Sequence, residues 1–180
     1  MSEMRRILVL GGARSGKSRY AQGLLGTSQR QQVMIATAEA GDGEMAARIA
    51  AHRAERPAGW ITVECPLDLA PCLTAQAAPD RVLLVDCLTL WLSNLFMAER
   101  NIEAQSLILL QALASLQGPV VLVSNEVGGG IVPESALGRA FRDAQGRLNQ
   151  QVAQACDRVV LVSAGLPLQL KPAPLPAISV

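Results

Sequence analysis

Gly11-Gly12-Ala13-Arg14-Ser15-Gly16-Lys17-Ser18 is the stretch from which the rest of this chain is read. It matches the phosphate-binding pattern G-x-x-x-x-G-K-[ST] and follows a short apolar run, Ile7-Leu8-Val9-Leu10. The spacing has a physical reason. Glycine has no Cβ, so successive backbone N–H groups can turn inward around phosphate oxygens. Lys17 then reaches the outer phosphates, the Ser18 hydroxyl can ligate Mg²⁺, and a helix opening there aims its positive end at the anion. The bland alternative is a glycine-rich turn. A strand pattern before the stretch and a helical pattern after it favour the nucleotide reading.

Outward from the loop, aliphatic runs alternate with helical spacing. Ser18 to Leu25 reads as a helix ending near Gly26, and 33–37 as a buried strand. A turn-rich connection then leads into a helix from Glu44 to Arg56, stopped by Pro57. Ile61-Thr62-Val63 reads as a strand, and Leu67 to Gln76 as a short helix with Pro71 in its first turn. Val82 to Asp86 is the clearest buried strand, four aliphatics ending in an acid. Helices are expected over Leu88 to Arg100, Ile102 to Leu116 and Glu134 to Ala155, with a buried strand at Val120 to Asn125. Arg158 to Val162 closes the pattern as a core strand, extended through Leu170. Aliphatic strands alternating with helices predict an α/β chain: a P-loop nucleotide-binding fold whose mostly parallel sheet carries helices on both faces. Residues 1–171 form one domain on this reading, and 172–180, with Pro172, Pro174 and Pro176, a peripheral or disordered tail. Ligands of such sheets sit beyond the carboxyl ends of the strands, where Thr37, Asp86 and Asn125-Glu126 fall.

Composition narrows the partners. The 180 residues are 50% hydrophobic and only 3% aromatic, with a net charge of +1, which suits one domain with an aliphatic core. No basic stripe appears, so a nucleic-acid polymer is not an expected partner; the expected charged ligand is small. The apolar run after Arg5 and Arg6 is too short for a signal peptide, and 88–97 is about half a membrane span. A soluble, cytoplasmic protein without a membrane span is expected. Cys65, Cys72, Cys87 and Cys156 form no C-x-x-C pair, and His52 is the sole histidine, so reduced, mostly buried thiols are expected rather than a zinc site.

Two further features carry chemistry. An acid after four aliphatics, Asp86, suits a carboxylate that holds Mg²⁺ directly or through water, though an Asp also commonly just ends a strand. On the helix expected from Glu44 to Arg56, Met45, Ile49 and His52 share one face, with Arg48 and Arg56 a turn either side of the histidine. An imidazole of unperturbed pKa about 6.5 is largely neutral near pH 7.5 and can act as a nucleophile, and guanidiniums suit it to a phosphate. A packed, hydrogen-bonded histidine is the other reading of the same pattern. Gly128-Gly129-Gly130 either lets backbone approach a ligand closely or makes an ordinary crossover. Asn125-Glu126-Val127 departs from N-K-x-D, the guanine-reading sequence of switch GTPases.

Taken together, the motifs resemble the cobinamide kinase and cobinamide-phosphate guanylyltransferase family of cobalamin biosynthesis. The resemblance runs from Ile7 to about Lys171. It rests on the loop, I-A-T-A at Ile35 to Ala38, E-M-A-A-R-I with H-R-x-x-R-P across Glu44 to Pro57, and D-C-L-T-L-W-L-x-N at Asp86 to Asn94. N-E-V-G-x-G-I-V-P at Asn125 to Pro133 and F-R-D-x-x-G-x-x-N-Q at Phe141 to Gln150 complete it. The resemblance implies phosphorylation of adenosylcobinamide by ATP or GTP. Transfer of GMP from GTP to adenosylcobinamide phosphate would follow, through a guanylylated histidine. His52 matches that histidine; members often carry two adjacent histidines, and here Ala51 replaces the first. Lys17 would act in catalysis, Ser18 and Asp86 on Mg²⁺. Thr37, Ala38 and Glu39, then Arg53, Ala54, Glu55 and Arg56, with Glu64 and Asp86, would contact the guanine nucleotide beside Gly11 to Ser18. For Glu64 a solvated strand-end acid is the alternative. The family is homotrimeric, which the resemblance extends to this chain as an expectation.

Overall fold

A computed structural model of the chain describes residues 6–38 and 59–173. Within them the order is β1 (Arg6–Gly11), α1 (Lys17–Gly26), β2 (Gln31–Ala36), β3 (Ile61–Glu64), α2 (Leu69–Gln76) and β4 (Arg81–Asp86). Then come α3 (Leu88–Met97), α4 (Ile102–Ser115), β5 (Val120–Asn125), α5 (Ala136–Ala155), β6 (Arg158–Ser163) and β7 (Leu166–Lys171). The helix expected over 44–56 and the tail at 174–180 lie outside the described residues.

The strands form one sheet in the order β3-β2-β4-β5-β1-β6-β7, parallel throughout except for β7. Both faces are covered, as continuous aliphatic strands require. On one face Val9, Met34, Leu84, Val121 and Val160 pack with Ala21 and Leu25 of α1. On the other, Leu8, Ile35, Val85 and Leu122 pack with Leu73 of α2, Trp91 of α3, Leu109 of α4 and Leu148 of α5. Alternate residues of one strand therefore feed two cores.

This topology fixes where a ligand can sit. β1 leads into α1 on one face, while its neighbour β5 leads into α5 on the other. The two connections diverge, which opens a crevice beyond the carboxyl ends of β1 and β5, the switch point of an open α/β sheet.

Three of the boundaries that differ from the sequence reading do so for a clear local reason. α3 stops at Met97 rather than Arg100, because Glu99 turns left-handed at φ 52°. Arg100 N–H then bonds Leu95 O at 2.9 Å and Glu99 N–H bonds Phe96 O at 3.1 Å, closing a Schellman cap. α5 begins at Ala136, two residues later than expected, because the Ser135 hydroxyl caps Gly138 N–H at 3.0 Å. The expected extension of the last strand through Leu170 is instead a hairpin. Ala164 and Gly165, at φ 50° and 79°, reverse the chain, and β7 returns antiparallel along β6.

Candidate functional site

The phosphate loop stands where the sequence puts it, between the tip of β1 and the first turn of α1. Arg14 at φ 56° and Gly16 at φ 91° twist its backbone, and Ser15 N–H closes a turn on Gly12 O at 3.3 Å. Gly16 occupies the cap position of α1, and α1 has no side-chain cap and no acid in its first turn. Its opening N–H groups thus carry positive potential that no acid of the helix's own first turn offsets. Lys17 Nζ donates to Gly12 O at 3.1 Å, folding the ammonium over the loop. Gly12, Ala13 and Arg14 are exposed, and Ser18 is half-buried one residue into the helix.

Neighbouring elements brace the loop. Glu126 N–H bonds Gly11 O at 3.1 Å, and Gly165 N–H in the hairpin turn bonds Ser15 O at 2.8 Å. A side chain at Gly11 has no room: its Cβ would overlap Ser15 Oγ and lie 2.6 Å from Val162 O. One at Gly16 would lie 3.2 Å from Gly165 Cα. Ser15 Oγ is buried with no hydrogen-bond partner among the described residues.

Across the crevice, Asp86 ends β4, in register with Ala36 of β2 and Val123 of β5. Its charge and that of Lys17 both reach Cys87. Burial first, then the Asp86 carboxylate, push that thiol up to about 11, while Lys17 works in the opposite sense. Burial likewise pushes Cys65 and Cys156 up to about 12 and raises Cys72, so the cysteines are protonated thiols near neutrality, as expected of free, mostly buried residues. Thr37 is fully buried and clips the Asp86–Cys87 junction. Its hydroxyl donates to Cys87 O at 2.7 Å and accepts from Cys87 N–H at 2.8 Å. That hydroxyl is thus spent on the protein rather than turned to a ligand. Ala38 is half-buried just beyond, and Glu64 is exposed at the end of β3, in register with Ala36.

The structure therefore gathers Gly11 to Ser18, Thr37, Ala38 and Asp86 on one rim, with Glu64 two strands from Asp86. His52, Glu39, Arg53, Ala54, Glu55 and Arg56 lie outside the described residues. Ser18 and Asp86 offer oxygen donors, the chemistry Mg²⁺ selects. Among the described residues no three His, Cys, Asp or Glu side chains converge. A cation carried in on a nucleotide would need only one or two side chains beside the phosphate oxygens.

Sequence reasoning did not assign the polar side chains that hold this rim. Asn94 on α3 donates to Thr37 O at 2.8 Å and Pro66 O at 3.0 Å, Trp91 Nε1 donates to Leu67 O at 2.7 Å, and Thr89 Oγ1 accepts Asn125 N–H at 2.8 Å. At β5 itself, Ser124 donates to Asn149 Oδ1 of α5 at 2.6 Å, Gln145 Nε2 donates to both, and Asn149 Nδ2 donates to Asn125 O at 3.0 Å. The available signal was a polar residue on an apolar helix face within a family motif. The glycine-rich segment at 128–130 is exposed and tied at its start by Gly128 N–H to Glu126 Oε1, 3.2 Å.

The comparisons with known proteins agree with this geometry. Solved structures similar in fold include a prototypical ATPase of the type III secretion system of pathogenic bacteria, with a TM-score of 0.54, 11% identity, and coverage of 92% of this chain and 56% of that one. Another is the assembled ATPase EscN of enteropathogenic E. coli, with a TM-score of 0.54, 14% identity, and coverage of 89% and 43%. These likenesses speak to the fold alone. Curated relatives include the bifunctional adenosylcobalamin biosynthesis protein CobP of Pseudomonas aeruginosa, 51% identical over 94% of this chain and 99% of the relative. The CobU proteins of the same description from Salmonella typhimurium and Escherichia coli are 46% and 44% identical, each over 92% of this chain and 99% of the relative. The family model described as cobinamide kinase / cobinamide phosphate guanyltransferase matches residues 7–170. A phosphate loop at the β1–β5 switch point, inside a match that spans nearly every strand and helix, means that this chain belongs to the cobinamide kinase / cobinamide phosphate guanyltransferase family.

Proposed function

We propose that this chain performs both reactions of its family on one phosphate loop. It phosphorylates adenosylcobinamide with ATP or GTP, then transfers GMP from GTP to adenosylcobinamide phosphate through His52. The carrying observation is the uncapped helix start under Lys17, which suits a triphosphate whichever of its phosphorus atoms reacts. In the first reaction the acceptor oxygen attacks the terminal phosphorus and the nucleoside diphosphate leaves. Lys17 and the loop N–H groups hold the phosphates in line and balance charge on the leaving oxygen. In the second, neutral His52 attacks the α-phosphorus of GTP, and a P–N bond forms as the bond to pyrophosphate breaks. A phosphate oxygen of the acceptor then displaces GMP from the imidazole. Mg²⁺ held by Ser18 and Asp86 would neutralise phosphate charge in both steps. Ala38, Glu39, Arg53, Ala54, Glu55, Arg56 and Glu64 complete the nucleotide contacts in this reading. Thr37 contributes by placing the Asp86–Cys87 backbone.

The same reading takes the enzyme as cytoplasmic, where nucleoside triphosphates are supplied, and as a homotrimer. Among the described residues no helix is long and apolar enough to cross a membrane. Lys17→Ala tests the shared loop. Both the kinase and the guanylyl-transfer rates should fall by about a hundredfold or more, since one set of phosphate contacts serves both. Full guanylyl transfer in that variant would mean two separate triphosphate sites.

A further inference from the structure

Asn125 is held more firmly than a strand end requires. Its N–H is fixed by Thr89 Oγ1 at 2.8 Å, and its carbonyl by Asn149 Nδ2 at 3.0 Å. Asn149 is itself locked by buried Ser124 and Gln145. Yet the side-chain Oδ1 of Asn125 is buried with no hydrogen-bond partner among the described residues. A buried acceptor left unpaired costs free energy, so such a group calls for a reason.

Its position supplies one. Val121 and Val123 of β5 belong to the α1-side core, while Ser124 bonds α5 on the opposite face. Strand alternation therefore puts the Asn125 side chain on the α1 face, which the phosphate loop covers. There Asn125 is in register with Gly11, at the switch-point crevice, two residues past the Val123 that pairs with Asp86. What arrives to satisfy Oδ1 must be a hydrogen-bond donor or a cation. Phosphate oxygens near neutral pH are acceptors, and the Lys17 ammonium is committed to the loop and its anion. The first reaction of the proposed function brings an O–H group to this end of the triphosphate.

We infer that Asn125 is a substrate-facing residue of the kinase step, its Oδ1 accepting the hydrogen bond of the acceptor alcohol and turning that oxygen toward the terminal phosphorus. This rests on the shared-loop reading above. The alcohol oxygen forms the new O–P bond as the bond from the terminal phosphorus to the bridging oxygen breaks. The nucleoside diphosphate leaves with that electron pair, and the alcohol proton passes to an oxygen of the transferred phosphoryl group. Asn125 orients and takes no proton. Thr89 and Asn149 are positioning residues, acting through its backbone.

Asn125→Leu and Asn125→Ala, compared with wild type, test this by four readouts: Tm without nucleotide, affinity for a fluorescent GTP analogue, kinase kcat, and guanylyl transfer to preformed adenosylcobinamide phosphate. The Tm should hold or rise, because an unpaired buried acceptor is removed. Nucleotide affinity and its Mg²⁺ requirement should stay within about twofold, while kinase kcat falls about tenfold or more. Guanylyl transfer should fall much less, since its acceptor is a phosphate with no hydroxyl to orient. A lower Tm would make Asn125 structural. Weakened nucleotide binding, or a changed Mg²⁺ requirement, would assign Oδ1 to the nucleotide or its cation. Unchanged kcat would also overturn the inference. Wild-type protein that failed to bind the analogue would instead refute the nucleotide site itself.

Discussion

Gly11 shows how far one residue commits the chain. It is the last residue of β1 and the first of the phosphate pattern, and its missing Cβ gives Ser15 and the Val162 carbonyl their places. A Cβ at Gly12, the next residue, would meet no atom of the described residues within 4 Å. The two glycines should therefore respond differently to alanine. Gly11→Ala should lower stability by about 1–3 kcal/mol and weaken nucleotide binding, because backbone must shift to admit the methyl. Gly12→Ala should stay within about 0.5 kcal/mol of wild type. Urea unfolding of the two variants checks this, and equal effects would mean that the packing around Gly11 is not what selects glycine there. The pattern G-x-x-x-x-G-K-[ST] marks a phosphate site by residue type and spacing alone. It does not say that the β6–β7 hairpin turn closes on the loop through Gly165, because that contact joins residues about 150 apart in sequence.

Among the secondary-structure elements, α3 has a larger role than its length suggests. Its apolar face fills the core with Trp91, Leu92 and Leu95, while Thr89, Trp91 and Asn94 reach the exits of β2, β3 and β5. One helix thus sets the relative height of three strand tips, and with them the rim on which Asp86 and Asn125 stand. Asn94→Leu keeps the branched shape but leaves the Thr37 and Pro66 carbonyls without their donor. It should cost about 1–3 kcal/mol in urea unfolding and reduce nucleotide affinity together with stability. Unchanged stability would mean that those carbonyls are satisfied in another way. The existence of this helix was legible from its apolar run, as were β4 and β5 from theirs. Its clamp was not, because an Asn two turns along a helix reads equally well as a solvent-facing residue until its partners are known. The helix ends slipped for a related reason: Glu99 in a left-handed cap follows no glycine signal, and Ala164-Gly165 lacks the Asn-Gly mark of a hairpin.

Across the molecule, the crevice between β1 and β5 follows from chain path alone, and residues from four separate segments meet there. That is why Thr37, Asp86 and Asn125 were recognisable as strand-end polar residues, while their division between bracing and contacting a ligand was not. Thr37 braces, and only the folded chain shows its hydroxyl already spent. In the proposed function a triphosphate gripped by this loop is attacked at its α-phosphorus by His52, the step that separates this chain from an ordinary kinase on the same fold. Incubating the protein with Mg²⁺ and GTP labelled at the α-phosphate, then assaying covalently bound label, reads that step itself. Wild type should retain label that is lost in acid and stable in alkali, as a phosphoramidate is, and His52→Ala should retain none while still phosphorylating adenosylcobinamide. Label that persists in His52→Ala, or wild type that transfers GMP without ever becoming labelled, would contradict this mechanism.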